Sequence, residues 1–385
     1  MLNWILPEYI EDILPPDAER IEGMRRRLLD LFYCHGFDFV IPPTIEHIES
    51  LRSGTGQDMD LMTFKLVDQM SGRLLGVRAD ITPQVARIDA QLLNREGAAR
   101  LCYAGSVLHT LPPGLTRTRE PLQVGADIYG HAGIESDIEI QNLMLDALRG
   151  LGLSGIHLDL GHVGVFRSIV QGLDEKLESD LFRVLQAKDV PGISELSAQL
   201  SPEVRNALCL LPELYGGIEV LSRAREALGA FPGASAALDE LESVAGRIHL
   251  QDAALSFDLA ELRGYHYHSG MVFAAYVARC PNAVALGGRY DEVGRAFGRA
   301  RPATGFSMDL REIASILPSP ARATGILAPH SEDPGLCAKI AELRKSGERV
   351  VVELPGHAAY RNELNCDRML SFADGKWSVV KSENF

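Results

Sequence analysis

The segment Leu122–Tyr129 places the tightest constraint on the fold. Leu122, Val124, Ala126 and Ile128 alternate with Gln123, Gly125, Asp127 and Tyr129, the most regular two-residue period in the chain. Successive side chains of a strand point to opposite faces, so this is a strand with one apolar face and one face that carries chemistry. Gln123 and Asp127 share that second face, and Gly125 between them leaves room for something to lie across it. A ligand surface and a solvated sheet face both fit this pattern.

A second stretch, Asp258 to Tyr276, holds Arg263, Tyr265, His266, Tyr267, His268 and Ser269 in close succession and continues into the apolar run Met271–Val277. Taken as one strand, it sets Arg263, Tyr265, Tyr267 and Ser269 on one side and His266 and His268 on the other, unless Gly264 introduces a bulge. Unpaired donors beside a buried segment are costly, so these groups need partners. A satisfied interior network and a ligand site both supply them.

Other segments supply the rest of a mixed architecture. Ile21, Met24, Leu28, Leu31 and Phe32 have helical spacing, and Gly36 stops that helix. Phe37–Ile41 is expected to be a short strand. Arg78, Asp80 and Thr82 alternate with Val77, Ala79 and Ile81, after which Thr82-Pro83 has the chemistry of a helix start running to Leu93. Asp80 then stands at a strand end, where a capping role and a ligand role are both open.

A pair of strands joined by Pro112-Pro113-Gly114, a helix over 134–151 and a strand over 156–160 follow. The glycine pair before Arg289, Tyr290 and Asp291 is expected to place them at a turn, and 305–313 to pass from strand to helix. The fold class is α+β: a largely antiparallel sheet flanked by helices over 1–165 and 249–318, a helical insertion over 166–248 and a small α/β domain over 321–385.

With 385 residues and 46% hydrophobic content the chain can build full-sized cores. A net charge of -14 argues against broad binding to a phosphate backbone. Its cysteines, Cys34, Cys102, Cys209, Cys280, Cys337 and Cys366, are scattered without a C-x-x-C pair, so neither a zinc site nor a disulfide framework is expected. His266 and His268 lack a third metal ligand at suitable spacing. The opening residues lack a basic signal-peptide region and no apolar run is long enough to span a bilayer, so a cytoplasmic protein without membrane contact is expected.

Five segments, in order, resemble the histidyl-tRNA synthetases, class II aminoacyl-tRNA synthetases. Gly36-Phe-Asp-Phe-Val-Ile-Pro-Pro with Glu46 is similar to their first motif, which forms the dimer interface. Val77-Arg-Ala-Asp-Ile-Thr82 resembles the segment that holds the amino group of histidine, and so implicates Asp80 and Thr82. Gln123 and Asp127 stand where that family has a glutamine and a glutamate against the bound amino acid. Leu262-Arg-Gly-Tyr-His-Tyr-His-Ser-Gly-Met-Val-Phe273 resembles the histidine-specific motif, normally Arg-Gly-Leu-Asp-Tyr-Tyr, and Gly287-Gly-Arg-Tyr-Asp291 its neighbour.

Two departures decide what the resemblance implies. The second motif's Phe-Arg-x-Glu reads Leu108-His-Thr-Leu111, with His109 in place of the arginine; the third motif's Gly-x-Glu-Arg reads Asp309-Leu-Arg-Glu312. Adenylation needs cations aimed at the phosphates, and losing one such preorganised group costs roughly 3–4 kcal/mol. Arg311 is one position away, which turns it about 100° on a helix. A histidine ligand could still pair its ammonium with Asp80 and its carboxylate with Arg263, with Asp127 and Gln123 orienting its imidazole, Tyr267 and His268 nearby, and Tyr290 closing the pocket.

Synthetase-like chains without the ATP grip resemble the regulatory subunits of ATP phosphoribosyltransferase, and Arg119-Glu-Pro-Leu-Gln123 and 262–273 are most similar to these. That resemblance implies a non-catalytic chain without cofactor. It implies pairing with a short catalytic subunit, as dimers within a hetero-octamer, activation of that partner, feedback by histidine and no tRNA. An active ligase would instead exchange pyrophosphate with histidine, and a purely structural module would show no affinity for histidine.

Overall fold

The computed structural model describes residues 5–52, 57–112, 114, 117–319 and 324–381. Pro113 and the expected domain ends 1–4, 321–323 and 382–385 lie outside them. The chain divides into two compact units, Met1–Pro318 and Ser319–Phe385.

In the first unit the strands are β1 (Asp38–Phe39), β2 (Ile45–His47), β3 (Lys65–Val67), β4 (Leu74–Val77), β5 (Ala99–Ser106), β6 (Leu122–Tyr129), β7 (His157–His162), β8 (Tyr215–Gly216), β9 (Ala254–Asp258), β10 (Met271–Tyr276), β11 (Ala285–Arg289) and β12 (Ala303–Asp309). Nine of them form one sheet in the order β1-β5-β6-β12-β11-β10-β7-β9-β8. Only β1–β5 and β7–β9 pair in parallel, so the sheet is largely antiparallel, as the alternating segments led us to expect. The other three, β2-β4-β3, make a small separate sheet.

The helix Asp17–Cys34 buries Ile21, Met24, Leu28 and Phe32, a three-and-four spacing that puts all of them on one stripe. Phe32 meets Phe306 of β12 edge-on, with centroids 6.0 Å apart, which fixes this helix against the sheet centre. On the same side the helix Glu135–Gly150 buries Ile138, Leu145 and Leu148. Residues 163–245 are a run of helices joined by short loops and the two-residue β8, and their buried Leu181, Leu185, Leu208, Val220 and Leu241 join the apolar cluster that includes Val124 and Phe306.

Three local expectations are corrected. The stretch 258–276 is not one strand: β9 ends at Asp258 and β10 begins at Met271. Gly264, at φ +66°, turns the chain, and its carbonyl accepts from the N–H of both Tyr267 and His268, so the alternation of side chains does not apply there. Strand β4 ends at Val77, before Arg78 and Asp80. Thr82 is the first residue of its helix, and the acceptor for its N–H is Oδ1 of Asp80 at 3.0 Å, so Asp80 rather than Thr82 does the capping. Gly287 and Gly288 lie inside β11, and the chain turns only after Arg289.

The second unit contains β13 (Gly325–Ala328), β14 (Val350–Val352), β15 (Cys366–Ala373) and β16 (Lys376–Lys381), in the order β14-β13-β15-β16. The helix Pro334–Lys345 supplies Leu336 and Ile340 to a core with Ile326, Val350 and Leu370.

Candidate functional site

Strand register builds the floor of the site. Asp127 of β6 pairs with Gly305 of β12, which pairs with Gly288 of β11. Glycine is needed in both places: a Cβ on Gly305 would collide with Asp127 Oδ1, and one on Gly288 would lie 2.7 Å from the His268 ring. Above this floor is a cavity of about 1060 Å³ lined by Asp80, Thr82, Asp127, Arg263, Tyr267, His268 and Tyr290, among others. Of the eight expected site residues, only Gln123 is not on its surface.

Gln123 acts on the site through Asp80. Its amide donates to Asp80 Oδ1 at 2.7 Å while its Oε1 accepts from the Ile81 N–H at 2.9 Å, so the carboxylate is held by both a side chain and its own helix start. The Thr82 hydroxyl lies 2.8 Å from that of Tyr103, a fully buried residue. Tyr103 also fills the space opposite Gly125, where a Cβ would strike its hydroxyl. The room left by Gly125 is therefore taken by protein, not by a ligand.

Tyr290 donates its hydroxyl to Asp127, with Tyr129 3.5 Å beyond it. Burial holds the Asp127 carboxyl well above the usual carboxylate range, and the charge of Asp80 pushes in the same direction against the Tyr290 bond. Asp127 Oδ2 and the Tyr267 hydroxyl are buried with no hydrogen-bond partner. His268 is held down to about 4 by burial, so it is neutral, and its Nδ1 lies 3.2 Å from the Arg289 carbonyl. A neutral ring whose Nδ1–H meets a carbonyl keeps Nε2 as an acceptor. Arg263 reaches Glu261 at 3.3 Å and the Tyr276 hydroxyl at 3.4 Å from the rim.

The positions that depart from the synthetase motifs are occupied by internal pairs. His109 is buried with Nε2 2.9 Å from the Ala79 carbonyl, and burial lowers its pKa, which favours a neutral ring. Asp309 caps the helix Leu310–Ile316 by accepting from the N–H of Arg311 and also accepts from that of Leu122. Glu312 forms an ion pair with Arg117 at 2.7 Å. Arg311 points to Thr118 and Glu120. No group of three or more His, Cys, Asp or Glu among the described residues is placed to hold a metal.

Comparison with known proteins gives these positions a context. Residues 9–313 match the family described as Histidyl-tRNA synthetase, and residues 323–380 match the ATP phosphoribosyltransferase subunit HisZ C-terminal domain. An ATP phosphoribosyltransferase regulatory subunit of Nitrosospira multiformis is 58% identical, the match covering 99% of this chain and 98% of that one. The chain belongs to the ATP phosphoribosyltransferase regulatory subunit family. Its curated relatives, which include one from Ralstonia pickettii at 58% identity over 99% of this chain and 98% of that one, are named regulatory and not catalytic subunits, and this chain is of that kind. Among solved structures, an ATP phosphoribosyltransferase regulatory subunit/histidyl-tRNA synthetase from Bacillus halodurans superposes with TM-score 0.82 at 26% identity, covering 94% of this chain and 97% of that one. A histidyl-tRNA synthetase from Nostoc shares the fold with TM-score 0.80 at 16% identity, covering 99% and 97%.

Several contributors to the site carry no local sequence signal. Ser179, Phe182, Arg183 and Gln186 of the helix Glu175–Gln186 form one wall of the cavity. In the sequence they are ordinary positions of an amphipathic helix. Tyr103 enters through strand pairing with Gly125, and Arg117 reaches Glu312 across 195 residues.

Proposed function

We propose that this regulatory chain binds free histidine in the cavity. Paired with a short-form ATP phosphoribosyltransferase catalytic subunit in the first step of histidine biosynthesis, it activates that partner and relays histidine feedback to it. Asp80 takes the ligand ammonium, Arg263 its carboxylate and Asp127 its imidazole. Thr82 and Gln123 hold the first of these in place, and Tyr267, His268 and Tyr290 enclose the ring.

The observation that carries this is the contrast between two halves of one site. On the amino-acid side, Asp127 Oδ2 and the Tyr267 hydroxyl are buried without partners. On the nucleotide side the cationic grip is missing: Glu312 is paired with Arg117, and His109, kept neutral by burial, sets Nε2 against the Ala79 carbonyl while its Nδ1 is buried without a partner. An anionic nucleotide would there meet Asp309 and Glu312 in place of cations, which removes the electrostatic basis of adenylation.

Self-association is supported by exposed apolar side chains on and beside the small sheet, Ile41, Ile45, Leu66, Val67 and Leu74. Such a dimer is the unit we place within a hetero-octamer. The acidic balance of -14 speaks against tRNA as a partner, and no helix among the described residues is long and apolar enough to cross a membrane, in keeping with a cytoplasmic site of action.

Co-purification with a short phosphoribosyltransferase chain, followed by assay with and without histidine, tests the proposal. Stimulated activity that histidine suppresses is expected from the complex, and no ATP-dependent pyrophosphate exchange from this chain alone. Exchange at ordinary enzymatic rates would overturn it.

A further inference from the structure

We propose that Tyr265 and Glu178 form a latch through which occupancy of the histidine pocket is felt by the helix Glu175–Gln186. This rests on the pocket assignment above and adds a route out of the pocket. The Tyr265 ring is buried at the edge of the cavity, between Phe166, edge-on at 5.3 Å, and Phe182, stacked at 5.2 Å. Its hydroxyl donates to Glu178 Oε1 at 2.7 Å. Arg167 lies over the same ring at 5.1 Å and donates to the carbonyls of Tyr265, His268 and Ser269, so the loop is fastened to two helices by one residue and its flanks.

Two positions further on, the same loop presents its ligand side. Tyr267 packs on Tyr290 at 5.0 Å with its buried hydroxyl unpartnered, and His268 lines the floor. Phe182 serves twice, as the partner of Tyr265 and as part of the cavity wall. A short irregular segment pinned at 265 and engaged by ligand at 267 and 268 has few ways to adjust to the ligand without pulling on the helix. Tyr265 and Glu178 are positioning residues, because the hydroxyl of the one is spent on the carboxylate of the other and not on the ligand.

Hydrogen–deuterium exchange over 175–186, with and without saturating histidine, reads the coupling, and calorimetry reads the affinity. In the wild-type chain histidine slows exchange in this helix. Tyr265→Phe keeps the ring, removes the bond to Glu178, abolishes that protection and weakens binding about tenfold. Glu178→Leu does the same, the two together cost no more than either alone, and Glu178→Gln, which keeps an acceptor, restores most of the effect. Histidine binding that leaves exchange over 175–186 unchanged, or additive losses in the double variant, overturns the latch while sparing the pocket. A chain that binds no histidine at all overturns both.

Discussion

The Tyr290 hydroxyl donates to Asp127 Oδ1 at 2.5 Å and leaves Oδ2 of the same carboxyl buried without a protein partner. One oxygen is thus fixed in orientation by the fold, and on the proposed reading the other takes the ligand's donor. Asp127→Ala is expected to weaken histidine binding about 10–100-fold with the fold intact, because it leaves the ligand's donor buried without a partner, which costs roughly 1–3 kcal/mol. Asp80→Asn, which keeps the shape but removes the charge facing the ammonium, should act in the same direction. Calorimetry showing unchanged affinity in both variants would remove the pocket assignment.

Gly305→Ala should damage the fold and the site together. The new Cβ would meet Asp127 Oδ1 and the Ala126 carbonyl at once, and neither can retreat from the middle of the sheet. Overpacking of this kind costs about 1–3 kcal/mol, and the displaced Asp127 should carry histidine affinity away with it. Urea denaturation paired with calorimetry measures the two losses separately.

Asp309 gives the stability a pH dependence of known sign. Its pKa is raised to about 6, chiefly by burial, against its ordinary value of 3.8. Between these values the folded chain holds a proton that the unfolded chain has released, so the contribution of this group to stability falls as pH rises from about 4 to about 6 and then levels off. The full difference is about 3 kcal/mol. Asp309→Asn keeps an acceptor for the N–H groups of Leu122 and Arg311 and removes that slope. The variant should therefore gain on the wild type at pH 7 but not at pH 4, as read by urea midpoints.

Asp89 and Arg301 form a buried pair at 2.9 Å, with side chains only 2% and 7% exposed. Arg301→Met fills similar space but leaves the carboxylate alone in the interior. The expected loss is about 3–5 kcal/mol. Arg301→Met with Asp89→Leu should recover much of it, and a double variant as unstable as the single one would show that the charge was not the cause.

How much of this was legible in the residues depended on whether the decisive contact was local. Ile21, Met24, Leu28 and Phe32 repeat at helical spacing, and the Leu122–Tyr129 alternation marks a strand, both properties of neighbouring residues; of the face that carries Gln123, Gly125 and Asp127, only Asp127 lines the cavity. The loop after Leu262 misled because Tyr and His alternate there as they would on a strand, whereas the backbone is governed by one positive φ at Gly264. The wall supplied by Ser179, Phe182, Arg183 and Gln186 was silent, because amphipathic spacing states that a helix is covered and not what covers it. Asp80, Thr82 and Asp127 were found through a motif, but that Gln123 braces Asp80 follows only from the meeting of strand β6 with the helix Thr82–Arg87.

On the proposed reading, the ion pair between Arg117 and Glu312 also makes an ATP grip hard to install. An arginine placed at 312 by a single substitution would drive two guanidinium groups into the gap that holds opposite charges 2.7 Å apart, while Asp309 stayed in place as a helix cap. One change at this place therefore trades an attraction for a repulsion, and only concerted replacement of 117, 309 and 312 avoids it.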